Sequence, residues 1–234
     1  MSDIIAIDST WVRDRFSLQF NNILSNKAPG IEDYELSMYM NMAQIEIIDE
    51  YSAGIDLTEK NRSILNGYII DKAIGASTAS GLKLKGIDYQ VFELSDKVWK
   101  ILLENIKQKE LDNEIDVKPV KYDEFNYASK NPFRRPSKTK AWRLDSNDNL
   151  DVNSIRDVKI FFKAESPNDY IESYNLTYLI IPDRFDIESD VIPNTMSTNL
   201  FLIEKVINRA CELATRDYKY NTLEAQIQTN NRSK

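Results

Sequence analysis

Two hydrophobic periodicities divide this chain, and a segment can satisfy only one of them at a time. Near the N-terminus, Val12, Phe16, Phe20 and Ile23 recur at helical spacing, as do Leu36, Met40, Ala43, Ile47 and Tyr51. Near the other end, Leu200, Ile203, Ile207, Ala210 and Ala214 repeat the pattern. Between them the character changes. Residues 89–94 alternate apolar and polar, and the runs 158–163 and 173–181 are rich in β-branched and aromatic residues. Helices at both ends with strands between them predict an α+β fold. The helical lobe comes from the N- and C-terminal helices, with an inserted antiparallel β-rich lobe of about five strands.

Local punctuation sets the expected boundaries. Asp8-Ser9-Thr10 supplies N-cap chemistry for a first helix over residues 10–24, and Asn26-Lys27-Ala28-Pro29-Gly30 ends it. A second helix covers about 31–53. Its first-turn acids Glu32, Asp33 and Glu35 suit the helix dipole, and Gly54 closes it. Thr58 opens a shorter helix to about residue 68, and residues 75–86 read as a flexible link. Residues 98–106 fit either a strand or a helix, with a strand preferred; 116–120 and 140–145 read as extended, and 122–129 as one or two helical turns stopped by Asn131-Pro132. Asp148-Asn149 suits a turn. Ser197 or Thr198 caps a last helix running to residue 218 or beyond. Residues 226–234 are polar and would be unordered in isolation. The expected domains are 1–86 (helical), 87–195 (β-rich) and 196–234 (helix and tail, packed on the helical part or on neighbouring subunits).

Composition then removes whole classes of chemistry. The 234 residues are 42% hydrophobic and 29% charged, enough for a real core. There is no histidine, so His-based acid–base catalysis and His-ligated metals are excluded. The one cysteine, Cys211, leaves no intrachain disulfide and points to a reducing compartment. No apolar run approaches the roughly 20 residues that span a bilayer, and the first residues lack a secretory signal. The net charge of −7 argues against a general nucleic-acid binder.

Short motifs suggest little catalysis. Asp116-Val117-Lys118 and Asp157-Val158-Lys159 match the Asp-x-Lys half of a Mg²⁺-dependent nuclease site, but so do many charged strands. No phosphate-binding glycine loop and no Gly-x-Ser-x-Gly elbow occurs. Cys211 lies on an apolar helix face, where packing is its expected role. No catalytic, cofactor or metal residue is therefore assigned. One stretch does invite a partner. Residues 130–143 contain no acid and interleave Phe133 and Trp142 with Arg134, Arg135 and other cations. Two prolines stiffen it, which lowers the entropy cost of presenting its side chains. An acidic chain favours a protein partner here over DNA.

Three segments together resemble the head-to-tail connector proteins of tailed bacteriophages, above all those of crAss-like phages. They are Lys27-Ala28-Pro29-Gly30-Ile31-Glu32-Asp33-Tyr34-Glu35-Leu36-Ser37 with Met42-Ala43-Gln44-Ile45-Glu46-Ile47-Ile48, then Asn131-Pro132-Phe133-Arg134-Arg135-Pro136 with Ala141-Trp142-Arg143-Leu144-Asp145, and finally residues 207–230. The resemblance implies a virion protein, assembled in the host cytoplasm, that forms a ring, typically a dodecamer, in the neck. Its expected partners are copies of itself, the portal protein or adjacent tail rings, and viral DNA passing without sequence-specific contact. It implies no catalytic residues and no cofactor. The expected partner-contact residues are Phe133, Arg134, Arg135 and Trp142 in the basic stretch and Leu223, Ile227 and Gln228 in the tail. A Mg²⁺-dependent nuclease using Asp116, Lys118, Asp157 and Lys159 stays open as the alternative, and an assembly chaperone as a third.

Overall fold

A computed structural model describes residues 7–24, 30–53, 58–75, 82–94, 97–111, 113–145, 156–166 and 168–232. The expected turn at Asp148-Asn149 and the closing Gly54 lie outside the described residues. The chain forms two compact units. One comprises Met1–Tyr68 and Pro182–Lys234, and the other, Ile69–Ile181, is inserted between those two stretches.

The helical unit is built from α1 (Ser9–Ile23), α2 (Asp33–Ser52), the short α3 (Glu59–Ile64) and α5 (Asn194–Ser197), and α6 (Leu200–Arg232). Asp8 is the N-cap of α1, and its carboxylate accepts from Trp11 N at 2.7 Å. Glu32 and Glu35 form a capping box at the start of α2. Asn199 Oδ1 accepts from Leu202 N at 3.1 Å and so caps α6, rather than Ser197 or Thr198. Val12, Phe16 and Phe20 of α1 and Leu36, Met40, Ala43, Ile47 and Ile48 of α2 are buried. They pack against Leu202, Ile203, Val206, Ile207, Ala210 and Ala214 of α6. Ion pairs border the contact: Arg15 reaches Glu204 at 2.9 Å, and Arg209 reaches Glu46 at 2.7 Å. Cys211 is buried in this core, and desolvation pushes its thiol up to about 12. It is packing, as its helix face implied.

Two end-of-helix expectations change. Ile23 and Leu200, read as members of the apolar stripes, are exposed. The polar stretch 226–234, expected without order, is helical as far as Arg232.

Among the described residues the inserted unit holds eight strands rather than about five: β1 (Ile69–Ile74), β2 (Leu82–Leu84), β3 (Ile87–Leu94), β4 (Val98–Gln108), β5 (Glu114–Pro119), β6 (Lys140–Asp145), β7 (Arg156–Phe162) and β8 (Ile171–Ile180). They form one sheet in the order β1-β8-β4-β5-β6-β7-β3-β2. Residues 75–86, expected as a flexible link, contain β2 and the turn into β3. Lys85 and Gly86 both take positive φ, 52° and 74°, as a two-residue type I′ hairpin turn requires. The sheet is mixed rather than antiparallel throughout. β5 and β6 run parallel, because helix α4 (Tyr122–Ala128) carries the chain back between them.

The sheet curls on itself. Ile171 N, at the start of β8, donates to the buried Gln90 side chain of β3 at 2.6 Å, although those strands lie near opposite edges. The Phe92 and Tyr174 rings meet at 5.2 Å across the same gap. Inside the curl lie Phe92, Leu94, Ile106, Ile115, Val117, Ala141, Val158, Ile160 and Leu176. On the outer face, α4 seats Phe125 and Ala128 against Ile87, Trp142, Leu144 and Phe161.

One polar cluster lies within this unit. Arg143 Nη1 lies 2.8 Å from Glu104 and its Nε 3.0 Å from Asp145, while Tyr174 Oη donates to Glu104 at 2.6 Å. Glu104 and Arg143 are only 7% and 11% exposed. Burial pushes the Glu104 carboxyl upward, against the pull of Arg143 and Tyr174. Burial, and then the Glu104 charge, push the Tyr174 phenol upward. Removing one member of such a pair leaves its partner's charge poorly compensated. Glu104→Gln is therefore expected to cost about 3 kcal/mol in urea unfolding. A loss below about 0.5 kcal/mol would show that the pair behaves like a surface one.

Candidate functional site

The candidate site is the segment joining α4 to β6, and its backbone is tightly specified. Ser129 N donates to Phe125 O, and Asn131 N donates to Ala128 O at 3.0 Å, ending the helix. Asn131 then starts a β-turn, with Pro132 at its second position and Arg134 N donating back to Asn131 O at 3.0 Å. The Asn131 side chain accepts from Phe133 N, also at 3.0 Å. Arg135 Nε donates to Ser129 O at 2.9 Å, Pro136 is buried, and Ser137 N donates to Lys140 O. The turn is thus held on both sides.

What it presents is Phe133. The ring is 98% exposed, an unusual state for a large apolar side chain on so constrained a turn. Arg134 stands beside it, its guanidinium 5.9 Å from the Tyr127 ring centre, and Tyr127 is itself 70% exposed. Lys138 is engaged with Glu165 at 2.6 Å, and that hydrogen bond holds the Glu165 carboxyl below its ordinary range. The local surface is an aromatic knob with cations beside it.

The other proposed contact residues lie elsewhere. Trp142 is buried under α4, its ring edge-on to Phe125 at 6.1 Å. Strand alternation explains this: Ala141 faces the inside of the curl, so Trp142 faces the outer layer. Leu223, Ile227 and Gln228 lie on α6, and their side chains are outside the described residues.

The two Asp-x-Lys motifs are not brought together. Asp116 is level with Lys140 on β6, whereas Asp157 faces Glu93 on β3. Because Trp142 pairs with Phe161, Asp116 and Asp157 are offset by about six residues along the strands, roughly 20 Å. Lys118 lies 3.9 Å from Glu124 instead. No group of three or more Asp, Glu, His or Cys suited to a metal ion occurs among the described residues.

Comparison with known proteins then identifies the chain. A family model described as phage tail ring protein 3/4 matches residues 9–226. The chain belongs to this family. Ring protein 4/5 of Bacteroides phage crAss001 is 26% identical over 241 residues, covering 94% of this chain and 97% of that protein. Ring protein 3 of the same phage is 26% identical over 225 residues, covering 86% and 92%. The resemblance to crAss-like phage proteins is thereby upheld, and the chain is a structural ring protein of a phage tail or neck.

Motif reading missed one feature of the ring protein. Helix α2 buries one face, yet Tyr34, Met38, Met42 and Ile45 on its other side are exposed. The signal was present in the sequence. Residues 33–52 contain Asp33, Glu35, Glu46, Asp49 and Glu50 but no Lys or Arg, and apolar residues occupy the outer positions as well as the inner ones.

The Phe133 side chain, almost fully exposed, is buried against none of the described residues. Phe133→Ala is expected to leave thermal stability within about 0.5 kcal/mol of the natural protein. A larger loss would mean that the ring packs within its own chain.

Proposed function

We propose that this ring protein forms a closed ring, typically a dodecamer, in the head-to-tail connector of a crAss-like phage. There it links portal to tail and lines the channel through which DNA leaves. The family match over residues 9–226 carries this reading. The ring has no catalytic task, and the separation of Asp116 from Asp157 speaks against a shared metal site. An acidic chain suits a channel wall, because a surface of net charge −7 repels the DNA phosphates that slide past it.

A ring needs unlike faces on each protomer that meet head to tail. The Phe133 knob is one such face in this reading, with Arg134 and Arg135 beside it. The end of α6, with Leu223, Ile227 and Gln228, reaches a neighbouring subunit or the portal. At 33 residues α6 is about 50 Å long, against roughly 30 Å for α2. Assembly takes place in the host cytoplasm, and the finished particle retains the protein. A chaperone of assembly would be absent from it.

Gold-labelled antibody against the protein should mark the neck of purified virions, between head and tail. Asp116→Asn and Asp157→Asn phages should form plaques normally. Virions free of the protein, or plaques lost in both variants along with a Mg²⁺-dependent nuclease activity, would overturn the proposal.

A further inference from the structure

The outer face of α2 has an apolar stripe and no described contact to cover it. Tyr34, Met38, Met42 and Ile45 follow one another at spacings of four, four and three residues, which places them in one row along the helix. Tyr34 is 71% exposed, and the others are between 41% and 49%. Two methionines give the row a soft, adaptable surface that can mould to an inserted ring. Its charges all have one sign. Glu35, Asp49 and Glu50 lie on the exposed side of α2, and the helix contributes no cation of its own.

The same chain carries the complement. Phe133 stands out on a turn that hydrogen bonds hold rigid, with Lys130 and Arg134 exposed around it and no acid from residue 130 to residue 143. An aromatic with arginine beside it is the combination that dominates interface energetics, and a rigid turn loses little entropy on docking. Knob and stripe are unlike surfaces, matched in both apolar character and charge. That is the requirement for a head-to-tail contact between copies.

We propose that the Phe133 turn of one copy seats on the Tyr34–Met38–Met42–Ile45 face of α2 in the next copy. This rests on the ring reading above and names its contact. Phe133 packs among the two methionines, and Arg134 with Lys130 faces the carboxylates of Glu35 and Asp49. Each protomer then offers one knob and one seat, as a head-to-tail contact that repeats from copy to copy requires.

The test is disulfide trapping between two variants of the full chain, Phe133→Cys and Met42→Cys. Cys211 stays in place because it is buried. The variants are mixed and mildly oxidised beside a control mixture of Phe133→Cys with Ser189→Cys. The knob–seat mixture should yield a two-chain adduct at least about tenfold faster than the control, because docking raises the local thiol concentration. Raising salt from 0.15 M to 1 M should slow it several-fold by screening the charge match. A native mass measurement on the same samples separates the two levels of the argument. Rings without accelerated trapping overturn this contact and leave the ring reading intact. A chain with neither accelerated trapping nor any higher mass fails both. An adduct rate indifferent to salt overturns the charge-matched seat.

Discussion

The fold depends on α6 finding α1 and α2. Those helices lie on opposite sides of the inserted stretch Ile69–Ile181, so the helical core closes only across a long loop of chain. Closing such a loop costs entropy before any contact offsets it, although the cost grows slowly with length. What offsets it is an almost continuous apolar face on α6 from Leu202 to Ala214, buried against Phe16, Phe20, Met40 and Ile47. Smaller polar ties fix the register. Ser37 Oγ accepts from Ile187 N at 2.9 Å, and Asn41 both accepts from Phe185 N and donates to its carbonyl. The return segment after the sheet is thereby pinned to α2 before α6 begins.

The inserted unit solves its own problem separately. A mixed eight-stranded sheet cannot bury one face by lying flat, so it curls, and the Gln90 and Gln108 side chains bridge the places where strands no longer pair. Gln108 donates to Lys163 O at 3.1 Å and to the buried Asp169 at 3.2 Å. Polar side chains are tolerated there because they take the role of missing ladder bonds. The outer layer under α4 leaves one short segment, residues 129–139, whose backbone is satisfied locally and whose most conspicuous side chain faces solvent.

Much of this was legible in the sequence. The helix faces read correctly because burial on a helix repeats every 3.6 residues, and Val12, Phe16, Leu36 and Met40 obey that rule. The strands β3, β7 and β8 read correctly from alternation and β-branched content, whereas β4, whose residues fit a strand or a helix, is settled as a strand by its pairing with β8 and β5. The edge strands did not. The pattern Ile-Ile-Asp-Lys-Ala-Ile of β1 belongs to a strand that is mostly exposed, so it lacks the contrast between faces. The parallel β5–β6 pair was also hidden, since strand direction comes from the path of α4 rather than from local residue choice. Of the candidate contact residues, Phe133 could be singled out because prolines and cations surround it. Trp142 sits in the same basic stretch, yet its place on a strand sends it into the core. The α2 stripe was hidden because its apolar residues share the helix with a second, buried apolar face, which blurs the contrast between the two sides.

The family match, the buried Cys211 and the separation of Asp116 from Asp157 all fit a structural ring protein. The most direct test is the mass of the purified protein by native mass spectrometry, alone and after mixing with its cognate portal. A ring protein should give a single closed multiple of the 27.1 kDa chain, formed alone or on the portal. A protein that stays monomeric at every concentration, with portal or without it, would contradict the account.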